Sequence, residues 1–269
     1  EILDAHADDV VARAADRGGG ALTVVELGAG SATKTEALLR AVLRHQRLCE
    51  YVPIDVSHDA LVRAEQRLRD RLPNVRVRAL AMTHEEALGA LRRLEPPHLV
   101  VFIGSSVGNL GDAEASALFR GLRASLGGAA SLLLGTDLRK GPDVLLLAYD
   151  DASGVTAAFN KNVLSRINRE LGGHFDLDGF RHVAKWNHAA SRIEMHLESV
   201  ARQDVAIDLL DLRVRFRAGE TIHTESSIKY DVPRVERIVN AGGFRVEETY
   251  YDRARHFALH WARATDEGR

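Results

Sequence analysis

The stretch LTVVELGAGSATKTE, residues 22–36, decides the fold of this 269-residue chain. It opens on a short run of apolar and β-branched residues that ends at Leu27. Two glycines follow, and beyond them apolar residues recur at helical spacing at positions 37, 38, 41 and 42. This order predicts a strand, a glycine turn and a helix, with Thr33 and Glu36 as a capping box at the helix start.

The glycine turn suits a ligand at the carboxyl end of the strand. Gly28 and Gly30 let the backbone turn sharply and leave no side chain between the backbone and a bound molecule. A Gly-x-Gly pair also occurs in strand-to-helix turns that bind nothing. The rest of the chain is therefore needed to choose between a binding turn and a plain turn.

The residues around the turn limit the kind of ligand. Thr33 stands where a dinucleotide fingerprint has its third glycine, which argues against a pyrophosphate at the helix N-terminus. Glu26 precedes the first glycine and Asp55 closes the next predicted strand, and two such acids suit a ligand with a ribose and a cationic tail. The pattern is similar to that of class I methyltransferases, which bind S-adenosylmethionine (SAM).

Composition predicts a soluble globular protein with one large domain or two smaller ones, since 45% of its residues are hydrophobic and 28% are charged. The formal net charge of −2 indicates neither a nucleic-acid partner nor a membrane-surface partner, and no apolar run approaches the ~20 residues of a spanning helix. With the single cysteine Cys49 and no visible secretory signal, we expect a cytoplasmic protein without an internal disulfide. The 12 histidines lack a paired ligand spacing, so no metal is expected.

Strands alternate with helices over the first half of the chain. The predicted strands after the first are 51–55, 75–80, 98–103 and 132–136. The predicted helices are 2–14, one capped by Ser57, 85–94 and 113–126. This rhythm indicates right-handed crossovers and a parallel sheet that is covered on both faces.

The rhythm changes after Asp137. Two predicted helices, 144–151 and 155–171, precede three predicted strands with no helices between them, 193–200, 205–209 and 212–216. A helix from Val232 and strands near 244–249 and 257–262 then complete the first sheet with an antiparallel hairpin. We therefore expect an α/β fold with a mainly parallel, Rossmann-like class I methyltransferase sheet, which binds the cofactor, in residues 1–139 and 230–269. An inserted α+β substrate domain is expected over residues 140–229.

Two charged side chains are candidate cofactor ligands. Asp55 ends the second predicted strand, where its two acceptor oxygens suit both hydroxyls of a ribose, although an acid at this point can also serve the start of the next helix. Lys34 lies in the first predicted helical turn, which is unfavourable for a cation unless it faces an anion. The carboxylate of a methionine tail is such an anion.

Four polar side chains are candidates for substrate binding. Asn109 lies in the loop after the fourth predicted strand and faces the same crevice as the glycine turn, or it is a turn residue in a left-handed conformation. Tyr149 is a ligand or a half-buried packing residue. Glu225 and Ser227 are two residues apart, so an extended backbone directs both to the same side.

Seven stretches together resemble the histidine Nα-methyltransferases of ergothioneine biosynthesis, over nearly the whole chain. They are ELGAG at 26–30, FIGSSVGNL at 102–110, LGTDL at 134–138, AYDDASGVTAAFN at 148–160, HVAKWN at 182–187, RIEM at 192–195 and TESS at 224–227. The last four are far more specific than a Gly-x-Gly turn. The resemblance implies a SAM-dependent enzyme with a class I methyltransferase domain and an inserted substrate domain.

The resemblance also implies a role for each site residue. By this resemblance Gly28, Gly30, Lys34 and Asp55 hold the cofactor, Asn109 and Tyr149 hold the substrate carboxylate, Glu225 and Ser227 bind the imidazole, and Met195 and Thr156 line the pocket. Where the family has a Gly-Asp pair whose acid contacts the adenine amine, this chain has Met82-Thr83. Thr83 either takes that position or caps a helix with Glu86. The family also carries an upstream arm with tyrosines, which this sequence does not include.

The implied chemistry requires a neutral amine held in line with the methyl carbon of the cofactor. A free α-amine has a pKa of about 8, so we expect proton loss to water, with no covalent nucleophile and no dedicated general base. Three rounds on L-histidine give trimethylhistidine, called hercynine. Two alternatives stay open: an enzyme for another aromatic amino acid such as a tryptophan derivative, and a catalytically silent module that binds the cofactor. We expect the histidine enzyme, acting as a monomer.

Overall fold

The computed structural model describes residues 1–265, which form two compact units. The first unit consists of Glu1–Leu138 together with the chain from Tyr230 onward, and the second is Arg139–Lys229. In chain order the helices are α1 (Ile2–Ala15), α2 (Glu36–His45), α3 (His58–Arg71), α4 (His84–Leu91), α5 (Asp112–Leu126), α6 (Pro142–Tyr149), α7 (Val155–Leu171) and α8 (Val232–Ala241). The strands are β1 (Thr23–Leu27), β2 (Cys49–Asp55), β3 (Val75–Val77), β4 (Leu80–Ala81), β5 (His98–Phe102), β6 (Ala130–Asp137), β7 (Phe180–Asn187), β8 (Arg192–Ser199), β9 (Gln203–Ile207), β10 (Leu212–Phe216), β11 (Thr221–Ile228), β12 (Phe244–Tyr251) and β13 (Phe257–Ala264).

Within the described residues, the first unit is built on an eight-stranded sheet with the order β12-β13-β6-β5-β1-β2-β3, and β4 also pairs with β2. The neighbouring strands from β6 to β3 are parallel, which requires crossover connections rather than tight hairpins. β13 runs antiparallel to both β6 and β12. The expected mainly parallel, Rossmann-like sheet with an antiparallel hairpin is confirmed.

The core of the first unit explains why its central strands are mainly apolar. β1 and β5 are buried at every position, as expected where helices cover both faces of a parallel sheet. α1 and α2 contribute Val10, Val11, Leu38 and Leu39 to the same core cluster. Each such side chain stabilises the fold by about 1.5–3 kcal/mol. This packing fixes the carboxyl ends of β1, β2 and β5 at one edge of the sheet, where the candidate cofactor residues lie.

One strand prediction is wrong in part, and the sequence pattern also misses a strand. The predicted strand 75–80 is divided into β3, which pairs with residues 49–51, and β4, which pairs with residues 54–55. The interruption lies opposite Pro53, which has no N–H to give to a ladder. The sequence pattern does not predict β7, because Val183 is its single β-branched residue and the alternating signal is weak.

The second unit contains α6, α7 and two antiparallel sheets. β11, β8 and β7 form a three-stranded sheet in that order, and β9 pairs with β10. Phe175, Phe180 and Phe216 pack in its core with ring centroids between 5.2 and 6.3 Å apart. The expected α+β character of this segment is confirmed.

Two kinds of feature are not found in the part of the chain that the structure describes. No helix within residues 1–265 combines the length and the apolar character needed to cross a bilayer. Over the same residues, no group of three or more His, Cys, Asp or Glu side chains is arranged to hold a metal ion. Cys49 is buried in β2, and burial raises the pKa of its thiol to about 12.

Candidate active site

The turn after β1 requires its two glycines. Gly28 and Gly30 have φ values of 65° and 50°, in the left-handed region that favours glycine. Gly28 N–H donates to the carbonyl of Ile54 at 2.9 Å, which holds the turn against the end of β2. A Cβ added to Gly30 meets no atom within 4 Å, so the space beside this backbone is open.

Asp55 is bonded to the glycine turn and to the next helix. One of its carboxylate oxygens accepts the N–H of Gly30 at 2.9 Å, and the other accepts the N–H of Ser57 at 2.9 Å. Ser57 is the N-cap of α3, as predicted, and accepts the N–H of Ala60 at 3.3 Å. Asp55 therefore serves the start of the helix and also lies beside the glycine turn. Each of its oxygens keeps a further lone pair for a ligand.

Glu26 faces the interior rather than a ligand in solvent. It is 4% exposed, and its two carboxylate oxygens accept hydrogen bonds from the hydroxyls of Thr35 and Tyr51. Burial raises the pKa of this carboxyl to about 7. Because Thr35 is the N-cap of α2, the buried acid ties β1 and β2 to the start of that helix.

The predicted capping box of Thr33 and Glu36 is wrong. Helix α2 begins at Glu36 with Thr35 as its N-cap, because Ala32 has a left-handed backbone with φ 51° and the turn continues past it. The Thr33 hydroxyl lies 2.8 Å from that of Ser31. The Glu36 carboxylate instead pairs with Arg40 at 2.7 Å and Arg71 at 3.0 Å.

A cavity of about 760 Å³ opens in the first unit. This volume lies within the ~300–1,000 Å³ range of small-molecule sites. Lys34 contributes a positive charge to its wall, which also includes Ile103 at the end of β5 and Phe257 at the start of β13. The wall also contains the carboxylates of Glu1, Asp4, Glu36 and Asp252 and the guanidinium groups of Arg40 and Arg71, so apolar side chains and charges of both signs line the cavity.

Thr83 caps a helix, as one of its two interpretations predicts. Its hydroxyl oxygen accepts the N–H of Glu86 at 3.3 Å, and the Glu86 carboxylate accepts the N–H of Thr83 at 2.8 Å. The hydroxyl keeps its own hydrogen and one lone pair. One residue, Met82, separates Thr83 from the end of β4, so Thr83 lies at the same edge of the sheet as Asp55.

Asn109 is an exposed residue at the end of a 3₁₀ helix, Ser106–Asn109. The left-handed conformation that was one interpretation of Asn109 belongs instead to Ser105, with φ 62°. The hydroxyl of Tyr230 donates to the carbonyl of Val107 at 3.1 Å and holds this loop. Asn109 is thus presented on a fixed loop directly after β5, with its side chain accessible.

Glu225 and Ser227 lie on the same face of β11, so this prediction is confirmed. Glu225 is opposite Met195 and Ser227 is opposite Ile193 in the antiparallel register with β8, and directly opposed residues share a face. Met195 and Ile193 are 3% and 0% exposed and pack with Leu145 of α6. The carboxylate and the hydroxyl therefore lie beside two buried apolar side chains on the same face of the sheet.

A polar network joins Tyr149, Ser227 and Lys229 in the second unit. The Tyr149 hydroxyl donates to Ser227 Oγ at 2.8 Å, and Lys229 Nζ donates to Tyr149 Oη at 2.7 Å and to Ser227 Oγ at 2.9 Å. Tyr149 is half-buried at the end of α6, but it is bonded to a predicted imidazole ligand and is not only a packing residue. Sequence reasoning missed Lys229. The available signal was the spacing of two that continues from Glu225 through Ser227 to Lys229.

Behind Tyr149 lies a second pair of residues that sequence reasoning missed. The amide nitrogen of Asn160 donates to His182 Nδ1 at 2.9 Å, so the hydrogen of the neutral ring is on Nε2. His182 Nε2 then donates to the carbonyl of Tyr149 at 2.8 Å. Asn160 is 4% exposed and His182 is 7% exposed, so the hydrogen bonds that hold the Tyr149 backbone are buried.

Thr156 lies in the first turn of α7, where Asp151 fixes the backbone. The Asp151 carboxylate accepts the N–H groups of Val155 and Thr156 at 3.0 and 2.8 Å. Hydrogen bonds from Ser153 and Thr156 hold the pKa of this carboxyl well below its ordinary value. The position of Thr156 is therefore set by a helix start and not by contact with the Tyr149 network.

Comparison with known proteins gives a consistent family. A family model described as histidine-specific, SAM-dependent methyltransferase matches residues 1–264. The chain is 41% identical to a histidine N-alpha-methyltransferase of Mycolicibacterium smegmatis, covering 96% of this chain and 79% of that protein. It is also 41% identical to a histidine N-alpha-methyltransferase of Mycobacterium tuberculosis, covering 88% and 74%.

Among solved structures, the CcbJ methyltransferase of Streptomyces caelestis is similar to this chain in fold. The TM-score is 0.50 at 14% sequence identity, over 97% of this chain and 98% of that chain. At this identity the likeness bears on the fold alone, and it agrees with the class I methyltransferase sheet. The family match extends over almost the whole length. The chain therefore belongs to the family of histidine-specific, SAM-dependent methyltransferases.

Proposed function

We propose that this protein is a SAM-dependent L-histidine Nα-methyltransferase, which adds three methyl groups to the α-amine and gives hercynine for ergothioneine biosynthesis. The observation that carries the proposal is that Glu225 and Ser227 share one face of β11, opposite the buried residues Met195 and Ile193. A carboxylate and a hydroxyl beside buried apolar side chains suit the two nitrogens and the carbon atoms of an imidazole. Membership of the histidine-specific family supports the same substrate.

The first unit has residues that suit SAM. Gly30 leaves open space beside the turn, Gly28 shares its left-handed backbone, and Asp55 lies next to the turn with lone pairs for ribose hydroxyls. Lys34 suits the carboxylate of the methionine tail, and the Thr83 hydroxyl suits a polar edge of the adenine. When bound, this cofactor supplies a methyl group that is already activated for displacement, so the chain needs no covalent nucleophile.

In the proposed substrate site each polar residue serves one part of histidine. Glu225 accepts a hydrogen from one ring nitrogen, Ser227 serves the other, and Met195 and Thr156 line the pocket. Asn109 donates its amide to the substrate carboxylate. We retain Tyr149 as a proposed substrate-binding residue. In the structure its hydroxyl donates a hydrogen bond to Ser227.

We assign no side chain as a general base. The ordinary pKa of an α-amine is about 8, so a reactive neutral fraction exists near neutral pH and the proton can pass to water. The chain then contributes orientation, which brings the amine to near-attack distance. The contacts proposed above for the imidazole ring and the carboxylate of histidine hold the amine in this orientation.

The proposed organisation follows from the residues that each segment contributes. Residues 1–139 and 230–269, of which 266–269 lie outside the described residues, are proposed to bind the cofactor, and residues 140–229 to bind the substrate. We further propose a cytoplasmic monomer without a nucleic-acid partner, in line with a net charge of −2.

Titration calorimetry tests the proposal. The protein is first titrated with S-adenosylhomocysteine and then, in its presence, with histidine or tryptophan. We expect binding of the cofactor product and then of histidine, with tryptophan much weaker. Preferred binding of tryptophan would assign the enzyme to another aromatic substrate, and binding of S-adenosylhomocysteine alone would support a silent module.

A further inference from the structure

The buried ammonium group of Lys229 contacts Ser227, one of the proposed imidazole ligands. Lys229 directly follows β11, and the residue is 0% exposed. Its Nζ bonds both the Tyr149 and Ser227 hydroxyls and lies 4.6 Å from the centroid of the Tyr149 ring. The function proposed above gives this lysine no role.

The hydrogens in this network can be counted. An ammonium only donates, so the oxygens of Tyr149 and Ser227 each accept a hydrogen from Lys229. Tyr149 in turn donates its own hydrogen to Ser227 Oγ at 2.8 Å. Ser227 Oγ thus accepts two hydrogen bonds, which use both of its lone pairs. Toward a ligand, Ser227 is left as a donor and not as an acceptor.

We propose that Lys229 is a positioning residue that determines specificity, because it makes Ser227 a donor and so selects the neutral imidazole with a bare nitrogen facing Ser227. A neutral imidazole carries a hydrogen on one nitrogen and a lone pair on the other. Glu225 accepts from the first nitrogen, and Ser227 donates to the second. If both ring nitrogens are protonated, a ring N–H faces the hydroxyl hydrogen of Ser227, and two donors cannot form a hydrogen bond with each other. The inference rests on the proposed function, since it takes Glu225 and Ser227 as ring ligands.

Buried contacts hold both ends of the network. Lys229 N–H donates to the carbonyl of Ser191 at 2.8 Å, and the Ser191 hydroxyl donates to the carbonyl of Lys229 at 3.0 Å. At the other end, His182 donates to the carbonyl of Tyr149 at 2.8 Å. Polar groups away from water interact more strongly, so the direction of these hydrogen bonds is costly to reverse.

The protonation of bound histidine is the direct readout. Histidine labelled with ¹⁵N in its ring is added to the complex of the protein with S-adenosylhomocysteine, and the two ring nitrogens are observed by NMR. We expect one protonated and one unprotonated nitrogen, in a single tautomer. This result should persist at a pH near 6, where about half or more of free histidine carries a doubly protonated ring.

Lys229→Met keeps much of the side-chain volume and removes the donor. We expect about 10-fold weaker histidine binding, because Ser227 is no longer held as a donor and its neutral hydrogen bond to the ring is weakened, and loss of the single tautomer. Lys185→Met is the matched control, since Lys185 is an exposed lysine of β7 in the same unit. It should keep the affinity and the tautomer of the parent protein. Melting curves establish that each variant is folded.

The outcomes distinguish failure of this inference from failure of the proposed function. Histidine bound to the parent protein with both ring nitrogens protonated would overturn the role of Lys229, and it would mean that Tyr149 had turned its hydrogen away from Ser227. A single tautomer retained at parental affinity in folded Lys229→Met would overturn it as well. If Lys229→Met does not fold, the parent spectrum alone decides. Failure of the parent complex to bind histidine would instead overturn the proposed function, and this inference with it.

Discussion

The Asp55 carboxylate accepts the backbone N–H of Gly30 at 2.9 Å, so the end of β2 and the glycine turn after β1 form one structure. The second oxygen of Asp55 accepts the N–H of Ser57 at the start of α3. One acid therefore closes a turn, starts a helix and keeps lone pairs at the edge of the sheet. Its substitution is expected to affect both the shape of the cofactor site and its charge.

Asp55→Ala should weaken the binding of SAM by about 10- to 100-fold. A hydrogen bond to a charged group contributes roughly 1.5–3 kcal/mol, and the glycine turn also loses its carboxylate partner. Asp59→Ala is the matched control, because Asp59 is an exposed acid in the first turn of α3. Calorimetry measures both affinities, and a melting curve checks folding. Unchanged affinity in folded Asp55→Ala would remove Asp55 from the site.

Asn109 should determine the preference for a free substrate carboxylate. If its amide donates to that carboxylate, histidine amide is a poor substrate for the parent enzyme, and Asn109→Ala narrows the difference in kcat/KM between acid and amide. Rates with both substrates measure this ratio. An equal ratio in parent and variant would leave Asn109 as a loop residue only.

Glu26 gives stability a defined pH dependence. The pKa of its carboxyl is raised from 4.5 to about 7 in the folded protein, mainly by burial. Between these values the folded state retains a proton that the unfolded state has lost, so the free energy of unfolding falls as the pH rises through this window. The stabilisation lost is on the order of 3 kcal/mol.

Glu26→Gln isolates this effect because glutamine carries no charge at any pH. Denaturant unfolding should show that the free energy of unfolding of the parent falls relative to that of Glu26→Gln between about pH 4.5 and 7. Above pH 7 the difference between the two proteins should stay level. A difference that stays constant over the window would mean that Glu26 is already ionised in the folded state.

Glu225→Ala should lower kcat/KM for histidine by at least ~10², since a buried polar ligand group is left without its partner. The relative preference for tryptophan or phenylalanine should rise, because the buried apolar side chains of Met195 and Ile193 remain beside the substituted position. Glu198→Ala is a suitable control, as Glu198 lies on neighbouring β8 and pairs with Arg181 at 2.6 Å. An undiminished preference for histidine would mean that the imidazole is recognised elsewhere.

The sequence predicts the first unit well because its signals are local. Apolar runs such as residues 99–102 and glycines with positive φ specify strand and turn without distant partners. Errors arise where one residue shifts the outcome. The left-handed backbone of Ala32 moves the start of α2 past Thr33, and Pro53 accompanies the division of the third strand.

The candidate substrate residues are less accessible to sequence reasoning because their partners are remote in the chain. Tyr149 and Lys229 are separated by 80 residues, and no local pattern states that a lysine will be fully buried against a tyrosine. Glu225 and Ser227 are different, since their spacing alone predicts a shared face. The roles of these residues came from the resemblance, whereas the direction of each hydrogen bond came from the structure.

The central claim is that this protein methylates the α-amine of histidine, and product analysis tests it most directly. The protein is incubated with SAM and, separately, with each of the twenty amino acids, and the products are identified by mass spectrometry. We predict Nα-methylated histidine that accumulates as the trimethylated form, with the ring nitrogens unmodified and other amino acids at background. Methylated tryptophan without methylated histidine, or no methylated product from a folded protein that binds SAM, would contradict the account.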